Sequence, residues 1–371
     1  MDEPVSAANS DISLLSRLII QGYSADFCAP VAQLSHLGGD LQEVAAMNEE
    51  RFDALLKLAH MHHVSVRVLR VIEQMAEAAG RRDVQERAKR ARESERRRIW
   101  QAVEWLYAIV QALEMSGCPV TVIKSLDHWP DLGSDLDLYT SGSPRKVIGV
   151  MQEKLGAKLE PRSWGDRLAY KWNFRVHGLP ELVEIHVRYL GQTGEHKLLA
   201  ERVLERRVMK TVNGRSFPVP APEERILIST LQRMYRHFYF RLCDMADAAA
   251  LVRSGAVNFA ELRRGAEAGG IWPGAATFLM LVSDYVEAYG GSMTLPAEVA
   301  DSTYSPDVRV EFRNNFLRVP MGPAAGLYGS QLLSAGRHHD VRAMSRLPLL
   351  PPLAISALVA FRLTGNDKGV W

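Results

Sequence analysis

The feature that most constrains the fold is the segment DLDL at residues 135–138, which follows the apolar run CPVTVI at residues 118–123. Side chains two residues apart on a strand point the same way, so Asp135 and Asp137 share one face while the leucines enter the core. Two adjacent carboxylates repel each other unless a cation lies between them. Hard oxygen ligands suit Mg²⁺ or Mn²⁺, which usually enter such sites with substrate phosphates. The segment therefore predicts a metal-dependent phosphate site on a strand.

The bulk composition is that of a globular protein and excludes few functions. A length of 371 residues indicates two or three domains with sizeable cores. The net charge of +2 gives no general signal for nucleic acid or membrane. Cys28, Cys118 and Cys243 are far apart and form no CxxC, so we expect neither a disulfide framework nor a zinc site, and a cytoplasmic location fits best.

We expect no targeting or membrane-spanning segment near either end of the given sequence. The N-terminus opens acidic and lacks a basic region followed by an apolar core, so we expect no signal peptide. The apolar stretch at residues 347–361 contains three prolines and is shorter than the roughly 20 residues of a spanning helix. We expect a buried C-terminal helix there, with a weak interfacial anchor as the alternative, and no transmembrane segment.

The predicted elements divide the chain into a helical N-terminal region (1–117), a small α/β core (118–220) and a helical C-terminal domain (221–371). The charged run at residues 81–100 lacks proline and glycine and predicts one long helix that ends near Gly117. Its arginines could bind phosphate or RNA, but the interspersed glutamates favour a solvated face with paired charges.

Turn and cap signals organise the core and its exit. Ser143 and Pro144 predict the start of a helix that ends near Gly156. The sequence HGLP at residues 177–180 resembles a hairpin turn between two strands. The segment RSFPVPAP at residues 215–222 predicts a proline-bounded connector. One or two helices should follow, from Glu223 to Gly255. The predicted strands are CPVTVIK, DLDLYT, KWNFRV and LVEIHVRYL.

A third carboxylate is expected on a neighbouring strand, because two-metal phosphoryl chemistry needs a further ligand. Glu184 is the best candidate, since Glu184, His186 and Arg188 alternate with apolar residues and form one polar face. The solvated face of an edge strand would explain the alternation equally well. We expect His186 to be a hydrogen-bonded strand histidine rather than a metal ligand.

Residues 121–138 are similar to the signature of the nucleotidyltransferase superfamily that includes DNA polymerase beta. That signature is a strand, a turn that ends in Gly-Ser or Gly-Gly, and then D-x-D or D-x-E. More narrowly, roughly residues 50–290 resemble a bacterial family of uncharacterised nucleotidyltransferases. The matching segments are Ile123-Lys124-Ser125, Asp135-Leu136-Asp137, Glu184-Ile185-His186 and Asp247-Ala248-Ala249-Ala250-Leu251.

The chain departs from the superfamily at two positions. Lys124 stands where the superfamily usually has the first glycine of the turn, as it does in the narrower family. Glu184 stands where the third acid is often aspartate, and its longer side chain changes the geometry of a metal site.

The resemblance implies an α+β fold, with a small mixed-sheet nucleotidyltransferase core between N-terminal and C-terminal helical regions. It implies that Asp135, Asp137 and Glu184 hold Mg²⁺ (or Mn²⁺), and that Glu184 could also accept the proton of the incoming hydroxyl. Ser125 and its amide would bind a phosphate oxygen. Lys124 would contact phosphate or only neutralise the acids.

Further basic and aromatic residues lie on elements near this site. Lys171 and Arg175 share a strand face and could contact phosphate or the acceptor, although a solvated strand face is the alternative. Tyr235, His237 and Arg241 are predicted on one helix that could stack a nucleobase or simply pack in the core. Asp244 and Asp247 share a helix face and suit a salt bridge with an arginine such as Arg241, or a structural role in the family motif.

These residues together predict an enzyme that transfers a nucleoside monophosphate from ATP or another NTP to a hydroxyl or phosphate acceptor, with release of pyrophosphate. A small molecule, a peptide or protein, and a tRNA end are all compatible acceptors, although the near-zero net charge disfavours a large nucleic-acid footprint. The alternatives are a non-catalytic nucleotide-binding or interaction protein on the same fold, and a tRNA-modifying nucleotidyltransferase toxin. The oligomeric state stays open.

Overall fold

The computed structural model describes residues 3–22, 38–304 and 308–364. It confirms the α+β class, with a small mixed sheet between helical segments. The N-terminal helices are α1 (Glu3–Ile20), α2 (Gly38–Ala45), α3 (Glu49–Met61), α4 (Ser65–Ala78) and α5 (Arg82–Met115).

Helix α5 confirms the long helix expected from the charged run. It ends at Met115, just before Gly117, whose positive φ of 68° suits glycine. On its charged half, Arg92 and Arg98 form ion pairs with glutamates of the protein, while Arg97 is exposed. The second half of α5 is apolar and packs against the sheet.

The core is a five-stranded sheet in the order β1-β2-β5-β4-β3, with β2 and β5 parallel and the other pairs antiparallel. Its elements in chain order are β1 (Val120–Val122), β2 (Asp135–Thr140), α6 (Pro144–Leu155), β3 (Lys158–Leu159), α7 (Trp164–Leu168), β4 (Lys171–Arg175) and β5 (Leu182–Val187). Two local predictions are confirmed: Ser143 caps α6 and Gly156 ends it in the left-handed conformation, and β4 and β5 form an antiparallel hairpin.

The prediction of a connector at residues 215–222 is wrong, because residues 215–220 form a strand. Three further elements follow the sheet: α8 (Leu198–Glu205), β6 (Arg207–Val212) and β7 (Arg215–Pro220). Strands β6 and β7 pair as a two-stranded ribbon around Asn213 and Gly214, which both have positive φ. Proline is tolerated in such a ribbon because one edge of each strand needs no ladder hydrogen bond. The Asn-Gly pair is the hairpin signal that points to this ribbon.

The C-terminal domain starts with α9 (Pro222–Gln232), which continues into a π-helical turn (Arg233–His237). The remaining elements are β8 (Tyr239–Phe240), α10 (Leu242–Arg253), α11 (Phe259–Ala268), α12 (Trp272–Ala288), α13 (Ala297–Asp301), β9 (Glu311–Arg313), β10 (Phe316–Arg318), α14 (Met321–Arg337), α15 (Val341–Arg346), a 3₁₀ turn (Leu347–Leu349) and α16 (Leu350–Thr364). Strands β8, β10 and β9 form a small sheet in that order.

The prediction that Tyr235, His237 and Arg241 share one regular helix is wrong. Phe238 has a φ of 55°, and this left-handed residue ends the helical path after the π-helical turn. Arg241 instead lies at the start of α10, where it is the N-cap residue. The interruption turns this part of the chain toward the sheet.

The C-terminal apolar stretch is helical, but the expected burial is not found. On α16, Ile355 is 62% exposed and Leu363 is 80% exposed, whereas Leu353 is buried. Among the described residues, no helix is both long and apolar enough to cross a membrane.

Two large hydrophobic cores cross the boundaries of the three predicted regions. Helices α1 to α4 share one core with the helices that follow residue 221, and the apolar half of α5 shares the other core with the sheet. The division at residues 117 and 220 stays a prediction.

The buried side chain of Arg67 connects all three regions. Its Nε lies 2.8 Å from Asp131 Oδ2, in the loop before β2, and its Nη1 lies 2.6 Å from Asp247 Oδ1 on α10. The backbone amide of Val66 donates to the other Asp131 oxygen at 2.6 Å. Because this arginine is only 3% exposed, its pairs are shielded from water.

We predict that Arg67→Met lowers the free energy of unfolding by about 3–5 kcal/mol, because it leaves the buried Asp131 without its cation and takes one of two partners from Asp247. Urea denaturation of the wild type and the variant measures the change. The control is Arg175→Met, which removes the exposed pair with Glu160 and should cost less than about 1 kcal/mol. Equal losses in the two variants would contradict a central role for Arg67.

Candidate active site

The turn after β1 places a lysine where glycine is ordinarily favoured. Lys124 has a φ of 64°, in the left-handed region. The amide of Ser125 donates to the carbonyl of Ile123 at 2.7 Å, and the amide of Asp127 donates to the carbonyl of Lys124 at 2.8 Å, so the turn is tight. The Ser125 hydroxyl accepts a 2.7 Å hydrogen bond from the amide of Asp137, which fastens the turn to β2.

The predicted carboxylates meet on one face of the sheet. In the parallel pairing of β2 with β5, Asp137 lies opposite Glu184, and Asp135 lies two residues earlier on the same face. The intervening leucines, Leu136 and Leu138, are fully buried on the other face. Asp135, Asp137 and Glu184 therefore line one cavity, together with Lys124 and Ser125.

Three side-chain atoms that could bind a metal ion lie close together in this group. One side-chain atom each from Asp137, Glu184 and His186 lies within 4.8 Å of the others. His186 Nε2 and Glu184 Oε1 are 2.9 Å apart, which confirms a hydrogen-bonded strand histidine. Its Nδ1 is buried and has no hydrogen-bond partner among the residues that the structure describes. Asp135 lies outside this close set, at the rim beside Ser134.

Two lysines neutralise the acids. Lys124 Nζ lies 2.5 Å from Asp137 Oδ1, and Lys171 Nζ lies 2.9 Å from Glu184 Oε2 and 2.8 Å from Asp166 Oδ1. Asp166 belongs to α7 and was not among the residues expected at the site. One lysine ammonium group lies against an acid of β2 and the other against an acid of β5. The carboxylate oxygens therefore favour a positive charge between them, such as a metal ion.

Burial and these neighbours shift the pKa values in opposite directions. Burial raises the pKa of Asp137 to about 7 against the attraction of Lys124, with the charge of Glu184 adding to the rise. Burial would raise the pKa of Glu184 too, but Lys171, His186 and Lys124 hold it well below its usual value. Burial lowers the pKa of His186 to about 4, so its ring is neutral at neutral pH.

Lys171 and Arg175 do not act as a pair, although they lie on the same strand. Lys171 is buried against the acids, whereas the Arg175 side chain is 59% exposed and lies 3.2 Å from Glu160. Arg175 is not among the residues that line the cavity. Strand twist and the short β3 edge give the two ends of β4 different surroundings.

The basic wall of the cavity is a set of arginine and aromatic residues. It comes from the π-helical turn and the segment after it, and contributes Arg233, Arg236, His237, Tyr239 and Arg241 to a cavity of about 190 Å³. The Arg233 guanidinium lies 2.8 Å from Asp244. Arg236 has no carboxylate partner among the described side chains.

The sequence expectation missed Arg236, although the run RMYRHFYFR around it alternates arginines with aromatics. Burial and the charge of Arg236 both act to lower the pKa of Lys171, but Glu184 and Asp166 outweigh them and raise it. Arg236 also lines a second, more apolar cavity of about 50 Å³. Lys124, Gln232 and Arg236 border both cavities. The second cavity includes Tyr235, which the sequence placed near the site.

The two aspartates of α10 have structural partners. Asp244 accepts from the backbone amide of Arg241 at 2.6 Å and pairs with the buried Arg233. Asp247 pairs with Arg67 and lies 2.6 Å from His128 Nδ1. The expected salt-bridge role is therefore found, but with arginines other than the side chain of Arg241.

Residues 48–286 match the family described as "Uncharacterised nucleotidyltransferase". The chain belongs to this family. The match covers β1 through β7, all seven predicted site residues and the basic wall, and it confirms the predicted enzyme class, nucleotidyltransferase. No curated protein matches the sequence.

Two solved structures resemble parts of this family member. The antibiotic-resistance factor ANT(2'')-Ia is 13% identical, and the match covers 46% of this chain and 91% of that one, with a TM-score of 0.35. An antigenic nucleotidyltransferase-like protein from Paracoccidioides brasiliensis is 14% identical, with 52% and 94% coverage and a TM-score of 0.32. Similarities at this level carry no argument about the substrates of this chain.

The left-handed conformation of Lys124 leads to a direct prediction. Lys124→Ala should be less stable than Lys124→Gly by about 1 kcal/mol, because both variants lack the ammonium group but only alanine is strained at positive φ. Chemical denaturation of the two variants isolates the backbone effect.

The matched control is Lys57, an exposed residue in the interior of α3. There the order should reverse, with Lys57→Ala more stable than Lys57→Gly by about 1 kcal/mol. The same order at both positions would show that Lys124 does not hold a left-handed conformation.

Proposed function

We propose that this nucleotidyltransferase moves a nucleoside monophosphate from an NTP, with ATP as the expected donor, to a hydroxyl or phosphate acceptor and releases pyrophosphate. The observation that carries the proposal is the cavity itself. Its lining combines Asp135, Asp137 and Glu184 from the sheet with Arg236 and Arg241 from the π-helical turn and the start of α10. Carboxylate oxygens that suit a metal ion and guanidiniums that suit phosphate, in one cavity, are what a metal-bound triphosphate requires.

Asp135, Asp137 and Glu184 would hold Mg²⁺ (or Mn²⁺), because all three offer the hard oxygens that these ions prefer. A bound divalent ion would offset the negative charge that develops on the phosphates during transfer. Lys124 would have to leave Asp137 for this arrangement, since its ammonium group lies against Oδ1. Its long side chain can then reach a phosphate oxygen without any change in the turn.

Ser125 would orient the turn and could also contact phosphate. Its oxygen already accepts the amide hydrogen of Asp137, but its own hydroxyl hydrogen faces the carbonyl of Asp135 at a long 3.4 Å. Rotation of the hydroxyl would direct this hydrogen to a phosphate oxygen at little cost. The amide of Ser125 is used inside the turn, so the hydroxyl is the better phosphate donor.

Lys171 would act by keeping Glu184 ionised rather than by touching the nucleotide. Both oxygens of Glu184 have partners, Lys171 at one and His186 at the other. A carboxylate held in this way suits a metal ligand, and its use as the proton acceptor stays a prediction. Arg175 has no assigned role, because it pairs with Glu160 outside the cavity.

A non-catalytic nucleotide-binding protein is the second candidate, and the Lys124–Asp137 ion pair is the observation that favours it. A lysine bound to a metal-ligand carboxylate weakens metal binding unless substrate phosphates draw it away. The two candidates differ in turnover. Labelled pyrophosphate would be released from γ-labelled and β-labelled NTP by an enzyme in the presence of its acceptor, and never by a binding protein.

We predict that calorimetric titration of ATP with Mg²⁺ gives metal-dependent binding to the wild type and none to Asp135→Asn/Asp137→Asn. The double substitution removes the negative charges of two carboxylates that would bind the metal ion, and it keeps the size of both side chains. Asp53→Asn, at an exposed position of α3, is the control and should bind like the wild type. Absence of binding to every NTP in the wild type would overturn the proposed activity.

A second prediction concerns the basic wall. Arg236→Ala should weaken NTP binding roughly tenfold or more, because it removes a charge that has no other described partner in the cavity. Arg97→Ala is the matched control, since Arg97 is exposed on α5 and far along the chain from the site. Equal weakening in both variants would mean that the arginines of α5 contribute the phosphate site instead.

A further inference from the structure

A second group of side chains that could bind a metal ion lies at the same cavity. One ligand atom each of His63, His128 and Cys243 lies within 4.8 Å of the others. The three residues come from the turn between α3 and α4, the loop that precedes β2, and the first turn of α10. His63 and His128 line the cavity, whereas Cys243 is fully buried behind them.

The spacing of the group is close to that of a transition-metal site. His128 Nε2 lies 3.8 Å from Cys243 Sγ. In tetrahedral zinc coordination, bond lengths of about 2.0–2.1 Å to nitrogen and 2.3 Å to sulfur place the two ligand atoms about 3.6 Å apart. Side-chain movements of about 1 Å or less would therefore bring all three atoms onto one ion.

His128 is already oriented as a metal-bound histidine would be. Its Nδ1 lies 2.6 Å from Asp247 Oδ2, so Nδ1 carries the hydrogen that it donates to the carboxylate. Nε2 faces Cys243 and the cavity, and a bound ion would take the place of any hydrogen on this nitrogen. A carboxylate behind a histidine is the usual outer support of a metal ligand, since it sets the tautomer and raises basicity.

His63 supplies an independent observation. Its Nδ1 is buried and has no hydrogen-bond partner in the part of the chain that the structure describes. A buried polar nitrogen without a partner is costly, and a metal ion or another ligand would remove that cost. Gly133 leaves room for this ring, because a Cβ there would come within 3.0 Å of His63 Cε1.

We propose that His63, His128 and Cys243 form a binding site for a single Zn²⁺ ion, separate from the carboxylate site on the sheet. Two imidazoles and a thiolate are ligands that select zinc over magnesium. The cavity would supply the fourth position, where water or a substrate oxygen could bind. The ion would join one segment from each predicted region of the chain around the cavity.

The sequence expectation against a zinc site rested on the absence of closely spaced cysteines. Such spacing identifies sites built within one loop, and it has no bearing on a site assembled from three distant segments. A catalytic cysteine assisted by His128 and Asp247 is the competing interpretation of the same distances. The complete burial of Cys243 argues against it, because a nucleophile must reach its substrate.

The test is a titration of metal-free protein, prepared without a histidine tag, with Co²⁺ as a spectroscopic substitute for Zn²⁺. We expect one equivalent to give a sulfur-to-cobalt charge-transfer band, and one equivalent of Zn²⁺ to abolish it. Absence of the band in the wild type would overturn the proposal without reference to any variant.

Variants assign the ligands. Cys243→Ser should lose the band, whereas Cys118→Ser should keep it, because Cys118 is also buried but packs in the other hydrophobic core. His63→Gln should keep a thiolate band but weaken Co²⁺ binding roughly tenfold or more. A band that persists in Cys243→Ser would assign the thiolate to another cysteine and sink the proposed ligand set.

The readout is independent of nucleotidyl transfer. Asp135→Asn/Asp137→Asn should keep the thiolate band in full, since oxygen ligands on the sheet produce no sulfur charge transfer. Loss of NTP binding together with an unchanged cobalt spectrum would support both sites. Absence of the cobalt band in a protein that still binds Mg²⁺ and NTP would disprove the zinc site and leave the proposed nucleotidyl transfer untouched.

Discussion

The position of the whole cavity depends on the buried guanidinium of Arg67. A buried charge is stable only when its partners stay in place, so the arginine constrains every segment that it touches. It holds Asp131, four residues before β2, and Asp247 on α10. Asp247 in turn holds His128, four residues after Lys124. The loop that leaves the turn and re-enters as β2 is therefore fixed at both ends.

The cavity contains basic as well as acidic side chains, so its carboxylates are largely neutralised. Lys124 and Lys171 lie against the carboxylates, and the arginines of the basic wall add positive potential to the cavity. This neutralisation explains how three acids can share one sheet face in a folded protein without a metal ion. It also means that a triphosphate, which is attracted by the arginines and by Lys124, would free the acids for a divalent cation.

Local signals succeeded where the governing interactions lie within a few residues. The alternation of Asp135 to Leu138 and of Glu184 to Val187 predicted two strands with their acids on one face, and cap residues predicted α6. The same kind of reasoning failed at residues 215–220, where two prolines outweighed the Asn-Gly turn that marks a ribbon. It failed again at Phe238, because no local signal predicts a left-handed phenylalanine. Its carbonyl accepts a 2.9 Å hydrogen bond from the amide of Val319, a residue far along the chain.

The sequence by itself determined the strand that carries Asp135 and Asp137, the acid Glu184 on a second strand, and the class of chemistry predicted from such oxygens. These follow from side-chain period and ligand type, which are properties of short segments. Only the tertiary structure decided which groups share the cavity with those acids or pair with them: Arg236 in its lining, Lys171 against Glu184, and the group of His63, His128 and Cys243. Residues separated by more than a hundred positions meet through the packing of the helical cores around Arg67, and no local period records that packing.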